Sequence, residues 1–170
     1  QTCYVVHRLD METSGAVLFA KNPFILPILN RLLEDKMIQR QYWAVTEGKF
    51  QTKKTVYKDR IGRDRHDRRK RVVDSRKGQS AYTTVTRLKT FEGASLVNCQ
   101  LKTGRTHQIR VHLAHHGHAI LGDPLYSHRP ASRLMLHAHS LSFTHPLTLE
   151  KITVQTRSES FEQGLRNYKP

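Results

Sequence analysis

The sequence predicts a single mixed α+β domain over residues 1–170, with a mainly antiparallel sheet, a few flanking helices and a polar cleft. Three observations predict it. Short apolar, partly β-branched segments recur along most of the chain, and only two stretches carry apolar residues at helical spacing. A chain of 170 residues is also long enough for one core and short for two.

Tyr4 to Val6 and Ala16 to Ala20 read as strands, and the polar stretch His7 to Gly15 as the loop that joins them. Loops held between strands are where chemistry commonly sits. From Pro23 to Met37, Ile25, Ile28, Leu29, Leu32 and Leu33 recur at helical spacing, with Pro23 in the first turn, where its missing N–H is no loss. Gln41 to Thr46 alternates as a strand, with Tyr42, Ala44 and Thr46 on one side and Trp43 and Val45 on the other. Residues 53–77 hold Arg60, Arg63, Arg65, Arg68, Arg69, Lys70 and Arg71, spaced by Asp59, Asp64, Asp67 and Asp74. That segment cannot bury much and reads as an exposed basic hairpin or mobile loop. Ala81 to Leu88 and Ser95 to Leu101 resume the strand pattern. Thr106 to His116 reads as a short helix capped by Thr106 and stopped by Gly117. Two last strands, Leu134 to Phe143 and Lys151 to Thr156, flank a turn containing Pro146.

Lys and Arg number 29 against 14 Asp and Glu, a formal charge of +15, so the molecule attracts polyanions and nucleic acid is the first partner to test. Cys3 and Cys99 show no spacing of a disulfide framework or a cysteine zinc site, which fits a reducing cytoplasm. No apolar run approaches the roughly 20 residues that span a bilayer, and the N-terminus lacks a signal-peptide layout. A cytoplasmic location without membrane association is the expectation. Gln1 stands where an initiator Met is usual, which points to an upstream portion.

Three polar segments far apart in sequence form a site if they meet. They are His7-Arg8-Leu9-Asp10 with Thr13-Ser14-Gly15, then Tyr42, then Lys102 to His112. From residue type alone Asp10 reads first as a loop cap or surface ion-pair partner, because short polar side chains usually bond to local backbone. Arg110 lies between Ile109 and Val111 and shares a helix face with Thr106 and His107. Two readings stand for it: a guanidinium brought to the core and needing an anion, for which Asp10 is a candidate, or the wet side of a solvated helix. His115, His116 and His118 cluster, but no Asp or Glu completes a His-Glu-x-x-His pattern, so no metal is expected. No phosphate-cradling Gly-rich loop is present either, and no nucleotide cofactor is expected.

At these residues the chain resembles the large-subunit, RluA-type branch of the RNA pseudouridine synthases. His7-Arg8-Leu9-Asp10 followed by Thr13-Ser14-Gly15 and Ala20-Lys21 is similar to that family's catalytic loop. Leu101 to Leu113, with Gly122-Asp123 and Tyr126, is similar to its second long signature. Gln41-Tyr42-Trp43-Ala44 supplies a third element, and Leu136-His137-Ala138 with His145-Pro146 resembles the closing strands. His7, where the small-subunit branch carries Gly, favours the large-subunit branch.

The resemblance implies the pseudouridine synthase fold and the isomerisation of uridine to pseudouridine in ribosomal or transfer RNA, after the base has left its stack. It implies Asp10 as catalytic carboxylate, Tyr42 as the aromatic residue that stacks on the substrate or takes a proton, and Arg110 as the cation paired with Asp10. Arg8, Arg105 and His107 would hold the loop and the RNA, with Arg68, Arg69 and Arg71 of the basic segment reaching phosphates. No metal or organic cofactor is needed. Family members carry an earlier strand with a Lys-Pro-x-Gly motif, so the resemblance also implies an N-terminally truncated catalytic domain. The competing expectation is a non-catalytic RNA-binding module that keeps the fold and the charge but lacks turnover.

Overall fold

The computed structural model describes residues 2–170. The N-terminal portion supplies β1 (Tyr4–Val5), β2 (Ser14–Gly15) and β3 (Phe19–Ala20), then α1 (Leu26–Glu34) and the long strand β4 (Gln39–Glu47). The basic segment follows as β5 (Lys54–Tyr57), β6 (Ile61–Arg63) and β7 (Arg71–Val73). After it come β8 (Thr83–Phe91), β9 (Ala94–Leu101), α2 (Gln108–His115), β10 (Leu136–Thr144), β11 (Lys151–Gln155) and α3 (Glu159–Arg166).

Six strands pair in the order β11-β10-β4-β9-β8-β5, all antiparallel, and β2 adds a short parallel pairing to β10. The fold is therefore the α+β architecture with a mixed, mainly antiparallel sheet that the sequence pattern predicts. Burial explains the centre. Ala94, Ser95, Leu96 and Val97 are buried in succession on β9, and Ala44, Val45 and Thr46 on β4, because the sheet is covered on both faces there. Ile109 and Leu113 of α2 and Phe161 of α3 belong to the same apolar cluster as these strands. A second cluster joins Leu29 of α1 to Val6, Ala20, Leu141 and Phe143.

Of the stretch read as the loop His7 to Gly15, Ser14–Gly15 forms β2, and the strand expected over Ala16 to Ala20 shortens to Phe19–Ala20. The three helices also differ from the sequence pattern, each for a local reason. The first helix spans Leu26–Glu34 rather than residues 23–37: its Pro in the first turn is Pro27, and Lys36 at φ 61° ends the helical path. The second starts at Gln108 because His107, not Thr106, is the capping residue, in the left-handed region at φ 56° and with no side-chain cap bond. The third, α3, has no counterpart in the sequence reading. Ser158 caps it by accepting the Phe161 N–H at 3.3 Å, and Glu159 and Glu162 lie in its first turn.

The basic segment divides in two. Residues 54–57 form the edge strand of the main sheet, and β6 and β7 pair as a separate two-stranded hairpin. Ile61 and Val73 of that hairpin pack with Ala81, Val111 and Tyr126 in a small third cluster, which fastens it beside α2.

Candidate active site

The loop that carries Asp10 is tied down at its far end by Gly15. With φ 124°, Gly15 lies so close to Ala138 that a Cβ would overlap the Ala138 carbonyl oxygen, so only glycine lets β2 pair with β10. Buried His137 strengthens the tie, with Nδ1 at 2.9 Å from Ser14 Oγ and Nε2 at 3.0 Å from the Thr156 carbonyl. Arg133 donates to the Glu12 carbonyl and to Ser14 Oγ. At the near end, the Leu18 N–H donates to His7 Nε2 at 3.1 Å. Burial first, and the Arg40 charge second, hold the His7 pKa down to about 4, so the imidazole stays neutral and keeps its acceptor.

Arg110 is 1% exposed and settles which of its two readings holds. Its Nε and Nη2 donate to the two oxygens of Asp123, each at 2.7 Å, and its Nη1 donates to Asp10 Oδ2 at 3.1 Å. Asp123 is itself buried, and its Oδ1 also accepts the N–H groups of Leu125 and Tyr126. Burial disfavours the charge on Arg110, but the hydrogen-bonded carboxylate of Asp123, with Asp10 behind it, outweighs burial and keeps its pKa above the ordinary range. The Arg110–Asp10 pair is present, but the bidentate partner of Arg110 is Asp123, which the sequence marks only as part of a motif. Asp10 is left with one Arg110 bond and a quarter of its side chain open.

Tyr42 lines the same recess as Asp10 and Arg110 and is 6% exposed. Burial raises its phenol pKa, with Arg40 opposing and Asp10 adding to the rise. Its ring borders the space in front of Asp10. His107 Nε2 lies 3.9 Å from Asp10 Oδ2, and its Nδ1 is 2.8 Å from Tyr126 Oη. Tyr126 Oη also accepts the Arg71 N–H at 2.8 Å. The arrangement that uses every proton has Tyr126 donating to Nδ1, which leaves the N–H of His107 on Nε2, facing Asp10. Burial, then Arg110, lowers the His107 pKa, consistent with a neutral ring. The hairpin is thereby linked to the Asp10 site through two hydrogen bonds and one side chain.

A cleft of about 1280 Å³ opens from this recess. Arg8, Arg105, Arg69 and Arg71 all line it, as does Lys102, so four of the arginines singled out from sequence border the same space as Asp10. Arg68 does not line it. Arg105 is steadied by donating from Nε to the Ser80 carbonyl at 2.9 Å. One residue that sequence reasoning missed also lines both cleft and recess: Arg40, two residues ahead of Tyr42 and so on the same face of β4.

The histidines serve mainly as strand-end and helix-end bonds. His112 joins Thr83 Oγ1 to the Asp59 carbonyl, and His118 reaches the Glu47 carbonyl. Asp59, His115 and His116 do bring ligating atoms within 4.8 Å of one another, a grouping that spacing along the chain does not reveal. Within it His116 Nε2 already pairs with Asp59 Oδ2 at 2.7 Å, and its ring stacks on Tyr57 at 4.0 Å. None of the three lines the cleft.

Such a fold and polar cleft define a class that comparison with known proteins makes specific. Residues 1–115 match the family model described as RNA pseudouridylate synthase, and the chain belongs to that family. Among curated relatives it is 47% identical over 162 residues to "Uncharacterized RNA pseudouridine synthase YhcT" of Bacillus subtilis, covering 91% of this chain and 53% of that protein. It is 38% identical to "Ribosomal large subunit pseudouridine synthase D" of Neisseria meningitidis, over 89% of this chain and 44% of that protein. The chain thus spans about half the length of the curated relatives it matches. Among solved structures, "Human RNA Pseudouridylate Synthase Domain Containing 1" superposes with a TM-score of 0.85 at 27% identity, covering 99% of this chain and 74% of the human one.

Proposed function

We propose that this chain carries the chemistry of uridine isomerisation in RNA, with Asp10 as the catalytic carboxylate. One observation carries the reading: an accessible carboxylate bonded to a guanidinium that is 1% exposed, at the floor of a cleft lined with cations. Isomerisation breaks the bond from N1 of uracil to C1′ of the ribose, forms a bond from C5 to C1′, releases the C5 hydrogen as a proton and places a proton on N1. An oriented, ionised carboxylate serves such a step either as nucleophile or as stabiliser of developing positive charge. Arg110 orients the Asp10 carboxylate, and because Asp123 fixes Arg110 from behind, no reorganisation is required when the substrate arrives. The Tyr42 ring is the wall on which the flipped uracil stacks, and its buried phenol keeps its proton at neutral pH. Arg8, Arg105, His107, Arg69 and Arg71 hold the RNA around the extruded nucleotide.

The substrate is ribosomal or transfer RNA. Several relatives are named for the large ribosomal subunit, and the formal charge of +15 suits a polyanionic partner. The proposed chemistry uses no metal and no organic cofactor. Its setting is the cytoplasm: both cysteines are free, with Cys3 exposed, and among the described residues no helix is long and apolar enough to cross a membrane.

The test is tritium release from C5-labelled uridine in bulk RNA. Release above the protein-free rate supports the reading. RNA binding without release would favour the RNA-binding module instead.

A further inference from the structure

Arg40 is 7% exposed, yet among the described residues it has no carboxylate within salt-bridge distance and its side chain makes no hydrogen bond. Its Nε is buried without a partner. Burial lowers its pKa, and Tyr42 opposes this only in part. The groups facing it offer no anion. His7 is neutral, Tyr42 is protonated, and Asp10 is engaged by Arg110. Gly104 closes over the guanidinium so tightly that a Cβ there would lie 2.8 Å from Nη1. The arginine is thus seated in a fitted slot at the recess that Asp10 and Tyr42 share.

An unpaired buried guanidinium is costly, and a ligand that brings an anion removes the deficit. Its planar fork matches phosphate and carboxylate oxygens. Uracil and ribose are neutral, so the only anions an RNA substrate offers are its phosphodiesters. Arg40 and Tyr42 are two residues apart on one strand face, about 7 Å along the strand, a span comparable to that from a base to its own phosphate. We infer that Arg40 is the binding site for a backbone phosphate adjoining the uridine seated against Tyr42 and Asp10. This rests on the reading of the cleft as a uridine site and deepens it. The exposed arginines of the rim gather RNA through a salt-screened field, whereas Arg40, only 7% exposed, acts at one nucleotide, where screening is weaker.

Binding of uridine, uridine 5′-monophosphate and uridine 3′-monophosphate to the full chain tests this, because it needs no turnover. In the parent protein one or both monophosphates should bind at least about tenfold more tightly than uridine, and the one that does identifies which flanking phosphate is held. Arg40→Gln should remove that advantage, and Arg40→Lys should restore part of it. A melt supplies the control. If Arg40 serves a ligand, the Gln variant melts at or above the parent temperature without ligand; a residue that only holds the fold together would lower it. In the tritium assay Arg40→Gln should reduce kcat/KM about a hundredfold, and added salt should not narrow the gap. Equal binding of all three compounds by the parent, or a phosphate advantage that survives in Arg40→Gln, would overturn the inference. Failure to release tritium by the parent protein would count against the uridine reading alone and leave the phosphate result standing.

Discussion

In the cleft floor, Arg110 places two N–H groups on Asp123 and one on Asp10, with 2% of its side chain in solvent. In the hairpin beside it, Arg69 meets Asp67 at 2.8 Å with 75% of its side chain in solvent. The chemical pair is the same and the physical consequence is opposite. The buried pair is rigid because breaking it strands a charge in a poorly solvated place. The exposed pair is screened and adaptable, Asp64 accepts the backbone N–H groups of His66 and Asp67, and Asp67 accepts the backbone N–H of Arg69 as well as its guanidinium. On the proposed reading, the first region holds a fixed reaction geometry and the second grips a flexible polyanion.

The comparison is broken most forcefully at Asp123. Asp123→Ala leaves Arg110 with Asp10 alone and should destabilise the protein by about 3–5 kcal/mol, lowering Tm by roughly 10 °C, as read in a thermal melt. Acid tests the cleft side next. The His7 pKa falls on folding from 6.5 to about 4, so between these values the unfolded chain binds the extra proton. Stability is therefore full above pH 6.5 and declines as pH falls toward 4, by up to about 2 kcal/mol from His7 after allowance for solvent screening. His107 and His112 shift in the same direction. Denaturant midpoints across that range should show a shallower slope for His7→Gln without abolishing it.

Tyr126→Phe sharpens the comparison by cutting the link between the two regions. It removes the acceptor of the Arg71 N–H and the partner of His107 Nδ1, so a loss of about 1–2 kcal/mol is expected. Hydrogen exchange at the Arg71 amide should accelerate while exchange in β4 and β9 stays slow. The smallest effect on stability belongs to the hairpin. Replacing Arg68, Arg69 and Arg71 together with Gln should move stability by no more than about 0.5 kcal/mol. The slope of log affinity against log salt should nonetheless flatten by about 2, one contact each for the cleft-lining Arg69 and Arg71.

Much of this was legible in the sequence because its signals are local. Alternation marked β4, and the polar run Lys102 to His112 marked the segment that carries Arg110, although Thr106 and His107 precede α2 and share no helix face with Arg110. The His7 to Asp10 string marked the loop that carries the carboxylate. What stayed hidden depends on neighbours in space. Asp123 as the bidentate partner of Arg110 requires Gly122 at φ 75°, where a Cβ would overlap the Arg133 carbonyl. Arg40 lies just ahead of the stretch Gln41 to Thr46 that alternation marks, and only its burial without an anion distinguishes it. Ser158 with Glu159 and Glu162 is a readable helix start, but α3 is eight residues long with only Phe161 and Leu165 as large apolar side chains, too few for helical periodicity to show.

Asp10→Asn, followed in the tritium assay, separates a catalytic carboxylate from one that only pairs with Arg110. The substitution keeps size and hydrogen bonding and removes the charge. Arg110 retains both bonds to Asp123, so the fold should lose only about 1 kcal/mol, which a melt run alongside verifies. RNA affinity should hold or rise slightly, since one negative charge is removed from a cationic cleft. Provided the parent chain releases tritium, the account predicts that the folded Asn variant binds RNA and releases none above background. Release by that variant at the parent rate would show that Asp10 is not the catalytic carboxylate.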